Sequence, residues 1–192
     1  MSIKRVAILF SGEGSNLENI VKKLHKKTIN DLHIEVVVAI CNKENAKGID
    51  RCKRLKIPSV IIKHKEFNSR EDFDKELVHI LSTHSVDLAV LAGFMRILTP
   101  TFTENVKAIN LHPSLLPLFK GINAIERSYE SDMKVAGVSV HFVSSELDGG
   151  EIIAQKCFQK EDSMSFEEFK AKIKELEYEL LPQAIIKILK DQ

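Results

Sequence analysis

The amino-acid sequence predicts an α/β fold, a mostly parallel central sheet flanked by helices with an antiparallel addition in the C-terminal half. Three observations carry that expectation. Short apolar runs recur at residues 6–10, 36–40, 60–62 and 88–92, unbroken rather than alternating, as suits strands covered on both faces. The segments between them are charged with helical spacing, which places helices on each side of the sheet. Beyond residue 105 the pattern changes: Val138-Ser139-Val140-His141-Phe142 alternates and residues 152–158 read as a further strand, the antiparallel part.

The first strand runs into Phe10-Ser11-Gly12-Glu13-Gly14-Ser15-Asn16-Leu17, a glycine-rich turn opening a helix over 17–26. Such a turn offers unpaired N–H groups at the positive end of a helix dipole, and small residues let a phosphate approach them. It lacks the lysine of a P-loop and the third glycine of a dinucleotide fingerprint, so it favours a monophosphate over ATP or NAD. The same turn also serves as a tight connection without a ligand. The second strand leads to a helix over 46–55, and the third to a helix over 69–82 that Ser69-Arg70-Glu71-Asp72 begins with a capping residue and an acidic first turn. The fourth strand leaves through the apolar loop Ala92-Gly93-Phe94-Met95-Arg96-Ile97-Leu98-Thr99-Pro100, near the carboxyl edge where ligands collect in open α/β sheets. Met95, Ile97 and Leu98 could wall a flat ligand there, or pack on the core as an ordinary strand exit. Residues 165–189 form a long amphipathic helix that Pro182 bends or divides.

At 192 residues, 44% apolar and 29% charged, the chain has the size and balance of one globular domain, 1–192. Its first ~100 residues and the remainder are expected to form two halves around a cleft. With 28 basic and 27 acidic side chains the net charge is +1, so no long-range field holds a nucleic acid and any anionic ligand must be met locally. The N-terminus lacks the pattern of a signal peptide and no run approaches membrane-spanning length. Cys41, Cys52 and Cys157 are odd in number and widely spaced, which argues against a disulfide framework and fits a reducing cytoplasm. They form no CxxC or Cys/His pair at metal-ligand spacing, so no metal is expected.

Asn110-Leu111-His112-Pro113-Ser114-Leu115-Leu116-Pro117 and, downstream, Leu147-Asp148-Gly149-Gly150 are the most informative segments. Asn110 and His112 are two apart, so on extended chain their side chains face the same way and can meet one reacting atom. The prolines keep the segment from continuing as a helix or central strand. Two glycines after Asp148 let a tight loop return it over the site. Spacing alone better suits turn formers, a satisfied polar histidine and prolines as punctuation. His141 supports the Asp148 loop or is an ordinary strand histidine, and His112, His141 and Asp148 together have the ligand types of a metal site. His25, His33, His64, His79 and His84 lie in charged stretches and read as surface residues.

These runs resemble the signature of the folate-dependent formyltransferases, and in detail the branch that formylates glycinamide ribonucleotide in purine synthesis. The resemblance spans nearly the whole chain: Gly12 to Asn16, Asn42-Lys43 with Ala46 and Gly48, Phe67 to Arg70, the Met95 loop, the Asn110 run and Leu147 to Gly150. It implies the Rossmann-like formyltransferase fold and transfer of the formyl group of 10-formyltetrahydrofolate to the amine of glycinamide ribonucleotide. Asn110 would then supply an amide donor for the oxyanion, His112 would move protons, and Asp148 would favour the imidazolium by its charge. Gly14, Ser15 and Asn16 correspond to the phosphate-binding residues, with Glu177 on the ribonucleotide. The resemblance gives the folate site to Arg70, Met95, Arg96, Ile97, Leu98 and Asn110, with Arg70 suited to the anionic glutamyl tail. On this reading residues ~1–100 form the phosphate side and ~101–192 the catalytic and folate side of the cleft. The partners are these two small molecules, with no nucleic acid or membrane, and the protein is a cytoplasmic monomer or homodimer. The family's late Glu-His pair appears as Glu177-Tyr178, its Val-Pro-Val as Cys157-Phe158-Gln159, a packing change, and Ile122-Asn123-Ala124-Ile125 lacks the histidines of some relatives. Two other folate enzymes share the trio: the methionyl-tRNA formyltransferases, which add a tRNA-binding domain, and the formyltetrahydrofolate hydrolases, which carry an N-terminal regulatory domain. A non-catalytic nucleotide-binding module using only the Gly14 turn is a third alternative.

Overall fold

The computed structural model describes residues 2–191. Strands β1 (Ser2–Phe10), β3 (Leu32–Cys41), β4 (Ser59–Ile61), β5 (Leu88–Leu91) and β6 (Ala108–His112) run parallel. The short β2 (Lys27–Ile29) joins β3 antiparallel, as do β7 (Val135–Phe142) on β6 and β8 (Ile152–Gln159) on β7. The spatial order is β2-β3-β1-β5-β6-β7-β8, with β4 also beside β3. Helices α1 (Ser15–Leu24), α2 (Gly48–Leu55), α3 (Arg70–Thr83), α4 (Pro100–Thr103), α5 (Ala124–Glu130) and α6 (Phe166–Lys190) complete the chain.

The unbroken apolar runs are explained by burial on both sheet faces. Along β1, Val6, Ile8 and Phe10 pack in a core with Leu17 and Ile20 of α1 and Leu180 and Leu181 of α6. Their alternates Ala7 and Leu9 pack with Phe73, Leu77 and Leu81 of α3. Strand β1 lies between β3 and β5, so the chain builds outward first on one side and then on the other. The carboxyl ends of β1, β5 and β6 therefore open on one crevice at the point where strand order reverses.

Pro182 does not divide the C-terminal helix, one of the two outcomes the sequence suggests: α6 is one helix of 25 residues. Proline at 182 cannot donate to the carbonyl of Tyr178 one turn earlier. That carbonyl instead accepts from Asn19 Nδ2 at 2.9 Å and Lys23 Nζ at 2.8 Å, both on α1. The helix thus tolerates its proline because a neighbour supplies the missing donor. We expect Asn19→Ala to cost about 1 kcal/mol, and less in a Pro182→Ala background where the helix makes its own bond. Equal costs in urea unfolding of both backgrounds would contradict this.

The boundaries of α1, α2, α3 and α6 fall within two residues of the expected ones, whereas the short α4 and α5 carry no expectation from the sequence. The α3 cap is Ser69, whose Oγ accepts from Asp72 N at 3.0 Å, and α6 starts with a capping box between Ser165 and Glu168. The hairpin of β2 with β3 escaped the sequence reading. Its turn, Asn30-Asp31, has φ of 51° and 65°, a left-handed pair that Asn and Asp tolerate. His25 is no plain surface residue, because its Nδ1 accepts the N–H of Val36 at 3.0 Å.

Candidate active site

A cavity of about 850 Å³ occupies the crevice, within the range of small-molecule sites. The turn after β1 lines it through residues 11–16, the loop after β5 through 92–97, and the end of β6 through 110–113. Lys174 and Glu177 of α6 close the ribonucleotide end expected for Gly14 to Asn16. Arg70, exposed at the start of α3, lines the same cavity as Met95 and Ile97, which are 68% and 45% exposed. Leu98 is buried and lines a smaller recess of about 70 Å³ with Phe94, Arg96, Asn110 and Leu147. The crevice draws on both halves of the chain: Arg70 and the Met95 loop precede residue 100, and Glu177 reaches the first turn from the last helix.

The first turn and the Met95 loop are tied together. Ser11 N donates to Gly93 O at 3.0 Å, and Ser11 Oγ accepts from Met95 N at 2.8 Å. At the far end of the loop Asp74 Oδ2 accepts from Thr99 N at 2.6 Å and Thr99 Oγ1 at 2.8 Å. Burial pushes the Asp74 carboxyl up, against these two hydrogen bonds. Arg96 lays its guanidinium over the Phe73 ring, 5.9 Å from the centroid. It therefore belongs partly to the loop's underside.

Asn110, His112 and Asp148 meet on the cavity floor. Strand β6 presents Asn110 and His112 on one face, and the turn between β7 and β8 brings Asp148 to them. Asp148 Oδ2 lies 3.3 Å from His112 Nδ1 and accepts the Gly121 N–H at 2.8 Å. Its Oδ1 accepts from Asn110 Nδ2 at 3.3 Å and faces His141 Nε2 at 3.5 Å. Burial raises the Asp148 carboxyl, but the neighbouring His141 ring, the hydrogen bond from Gly121 N–H and the charge of His112 outweigh it, so the group sits below the usual aspartate range. His112 Nε2 is 2.9 Å from Phe119 O. Both nitrogens of that ring thus face acceptors.

The sequence leaves His141 as a support of the Asp148 loop or an ordinary strand histidine. It is 3% exposed, sits opposite Asn110 in the β6/β7 register, and receives Asn110 Nδ2 on its Nε2 at 3.0 Å. Its Nδ1 donates to Phe142 O at 2.8 Å, which fixes the tautomer that leaves Nε2 free to accept. Only strand pairing reveals this neighbour. Lys174, also missed, pairs with Glu177 at 2.8 Å; its spacing of three on one helix was a usable cue. Glu177 Oε2 further accepts from Asn16 Nδ2 at 3.0 Å, joining the first turn to α6.

The glycines after Asp148 serve close approach, whereas the left-handed conformation falls on Asp148 itself, with φ of 48°. A Cβ on Gly150 would collide with Phe142 O, and one on Gly149 with Glu146. Among the described residues, no group of three His, Cys, Asp or Glu side chains could hold a metal ion. None of the described helices is long and apolar enough to cross a membrane.

Residues 4–185 match the family described as formyl transferase. Phosphoribosylglycinamide formyltransferase of Haemophilus influenzae is 38% identical over 185 residues, 95% of this chain and 86% of that protein. The Bacillus subtilis protein of the same name is 35% identical over 189 residues, 97% of this chain and 95% of its own. A crystal structure of phosphoribosylglycinamide formyltransferase from Campylobacter jejuni subsp. jejuni is 61% identical and superposes with a TM-score of 0.95, covering 98% of each chain. With a cavity floored by an amide, an imidazole and a carboxylate, and with this match over nearly its full length, the chain belongs to the formyl transferase family.

Proposed function

We propose that this chain transfers the formyl group of 10-formyltetrahydrofolate to the amine of glycinamide ribonucleotide, giving formylglycinamide ribonucleotide in de novo purine (IMP) synthesis in the cytoplasm. One observation carries the reading. The Asn110, His112 and Asp148 floor shares one cavity with an anion-receptive turn at Gly14 and an apolar loop at Met95.

When bound, the donor supplies a formyl carbon whose attack by the amine builds negative charge on oxygen. Asn110 is the neutral donor for that oxygen. Its amide nitrogen is spanned by His141 and Asp148 at 3.0 and 3.3 Å, so the longer bond is the one that yields to the oxyanion. His112, held by Asp148 and Phe119, gives or takes the proton that must leave the amine and reach the departing nitrogen. Asp148 remains ionised at neutral pH and keeps that ring oriented. At one end Gly14, Ser15 and Asn16 offer N–H groups at the head of α1 to the phosphate, with Lys174 as a cation nearby and Glu177 toward the ribose. At the other, Met95, Ile97 and Leu98 enclose the pterin, Arg96 backs the loop, and Arg70 meets the glutamyl tail.

Ser15→Asp places a carboxylate where the phosphate dianion sits, so calorimetric titration should show ribonucleotide affinity falling by on the order of 10²-fold with folate affinity nearly unchanged. Equal losses for both ligands would count against this assignment of the two ends.

A further inference from the structure

Helix α2 grips the outer side of the Gly12 to Gly14 turn. Gly48 N donates to Gly12 O at 3.0 Å, and Arg51 Nε donates to Glu13 O at 2.7 Å. The contact is close because both partners are glycine: a Cβ on Gly14 would stand 2.6 Å from Gly48 Cα. In a trans peptide the carbonyl and the following N–H point in opposite directions. Drawing the carbonyls of Gly12 and Glu13 toward α2 therefore turns the N–H groups of Glu13 and Gly14 away from it, toward the cavity that residues 11–16 line.

Arg51 does not line that cavity and is itself held from behind. Its Nη1 pairs with Glu18 Oε2, which also receives Arg54 Nη2 at 2.8 Å, while Lys22 Nζ is 2.7 Å from Glu18 Oε1. The Glu18 side chain is only 10% exposed. Hydrogen bonds from Lys22 and Arg51, with the Arg54 charge beyond them, outweigh burial and hold its carboxyl down to about 2. Sequence order hides this cluster, since its members span residues 13 to 54.

We propose that Arg51, anchored by Glu18, is a positioning residue for the ribonucleotide phosphate, because it orients the Glu13 peptide so that the Gly14 N–H points at the anion. The proposal rests on the functional reading above. It separates Arg51 from Arg54, which shares the Glu18 ion pair without touching the turn.

Steady-state kinetics of Arg51→Gln, Arg51→Lys and Arg54→Gln, with glycinamide ribonucleotide and 10-formyltetrahydrofolate varied in turn, test it. Arg51→Gln should raise KM for the ribonucleotide about tenfold, with kcat and folate KM within about twofold of the parent. Arg51→Lys, which keeps a cation for Glu18 and a donor for Glu13 O, should recover part of that rise, and Arg54→Gln should leave all three values unchanged. Equal ribonucleotide KM in Arg51→Gln and Arg54→Gln, or a matching rise in folate KM, would overturn the role of Arg51 alone. A parent protein that turns over folate but forms no formylated ribonucleotide would overturn the functional reading together with it. Should Arg51→Gln fail to fold, an unmoved ribonucleotide KM in Arg51→Lys and in Glu18→Gln would overturn the proposal, and a rise confined to that substrate would support it.

Discussion

Asp148→Asn should keep the fold and most ligand affinity while losing turnover by on the order of 10²–10⁴-fold, the range of acid–base groups. The carboxylate faces the Gly121 N–H, the Asn110 amide and two imidazoles. An asparagine presents an N–H₂ to some of those donors, so His112 loses its acceptor and its orientation. His112→Ala should cost about as much as Asp148→Asn, and the double variant little more, because the pair acts as one unit. Single-turnover rates of the three variants check this. Near-normal turnover in Asp148→Asn would remove the residue from the mechanism and leave the segment 147–150 as a turn. The sign for stability follows from the depressed carboxyl: the folded pKa lies below the unfolded one, so the contribution is full above the ordinary aspartate range and is lost as pH falls through the folded value.

Asn110→Ala should lower kcat by on the order of 10²–10³-fold with little change in ribonucleotide KM, as expected for loss of a donor that acts on charge appearing only in the transition state. The same substitution leaves His141 Nε2 without its 3.0 Å partner. A supporting role for His141 therefore predicts that His141→Ala is the milder variant, since Asn110 keeps its bond to Asp148. Rapid-quench measurement of the formyl-transfer step separates the two. A larger loss in His141→Ala than in Asn110→Ala would reverse the assignment.

The parts of the fold legible in the sequence were those set by a single local signal. Continuous apolar runs announced buried parallel strands because β1 packs alternate residues into two separate cores, and Ser69 announced a helix start because its hydroxyl caps one. The missed features depend on partners distant in sequence. Pro182 reads as a bend or a break, yet the helix continues through it because Asn19 and Lys23 reach the orphaned carbonyl from a helix more than 150 residues away. The pair Asn110 and His112 could be read from strand periodicity, and the pairing with Asp148 from resemblance. His141 could not, since its place opposite Asn110 is a property of antiparallel register. The two glycines after Asp148 were rightly singled out for a tight loop, yet their reason is steric clearance from Phe142 and Glu146 rather than backbone angle.

Transfer of an isotopic label from donor to ribonucleotide tests the central claim most directly. Purified protein incubated with glycinamide ribonucleotide and 10-formyltetrahydrofolate carrying a ¹³C formyl group should yield ribonucleotide with the label on its glycyl nitrogen, in step with tetrahydrofolate release. Label recovered as free formate while the ribonucleotide stays unmodified would contradict the account and make the same floor of Asn110, His112 and Asp148 a hydrolase.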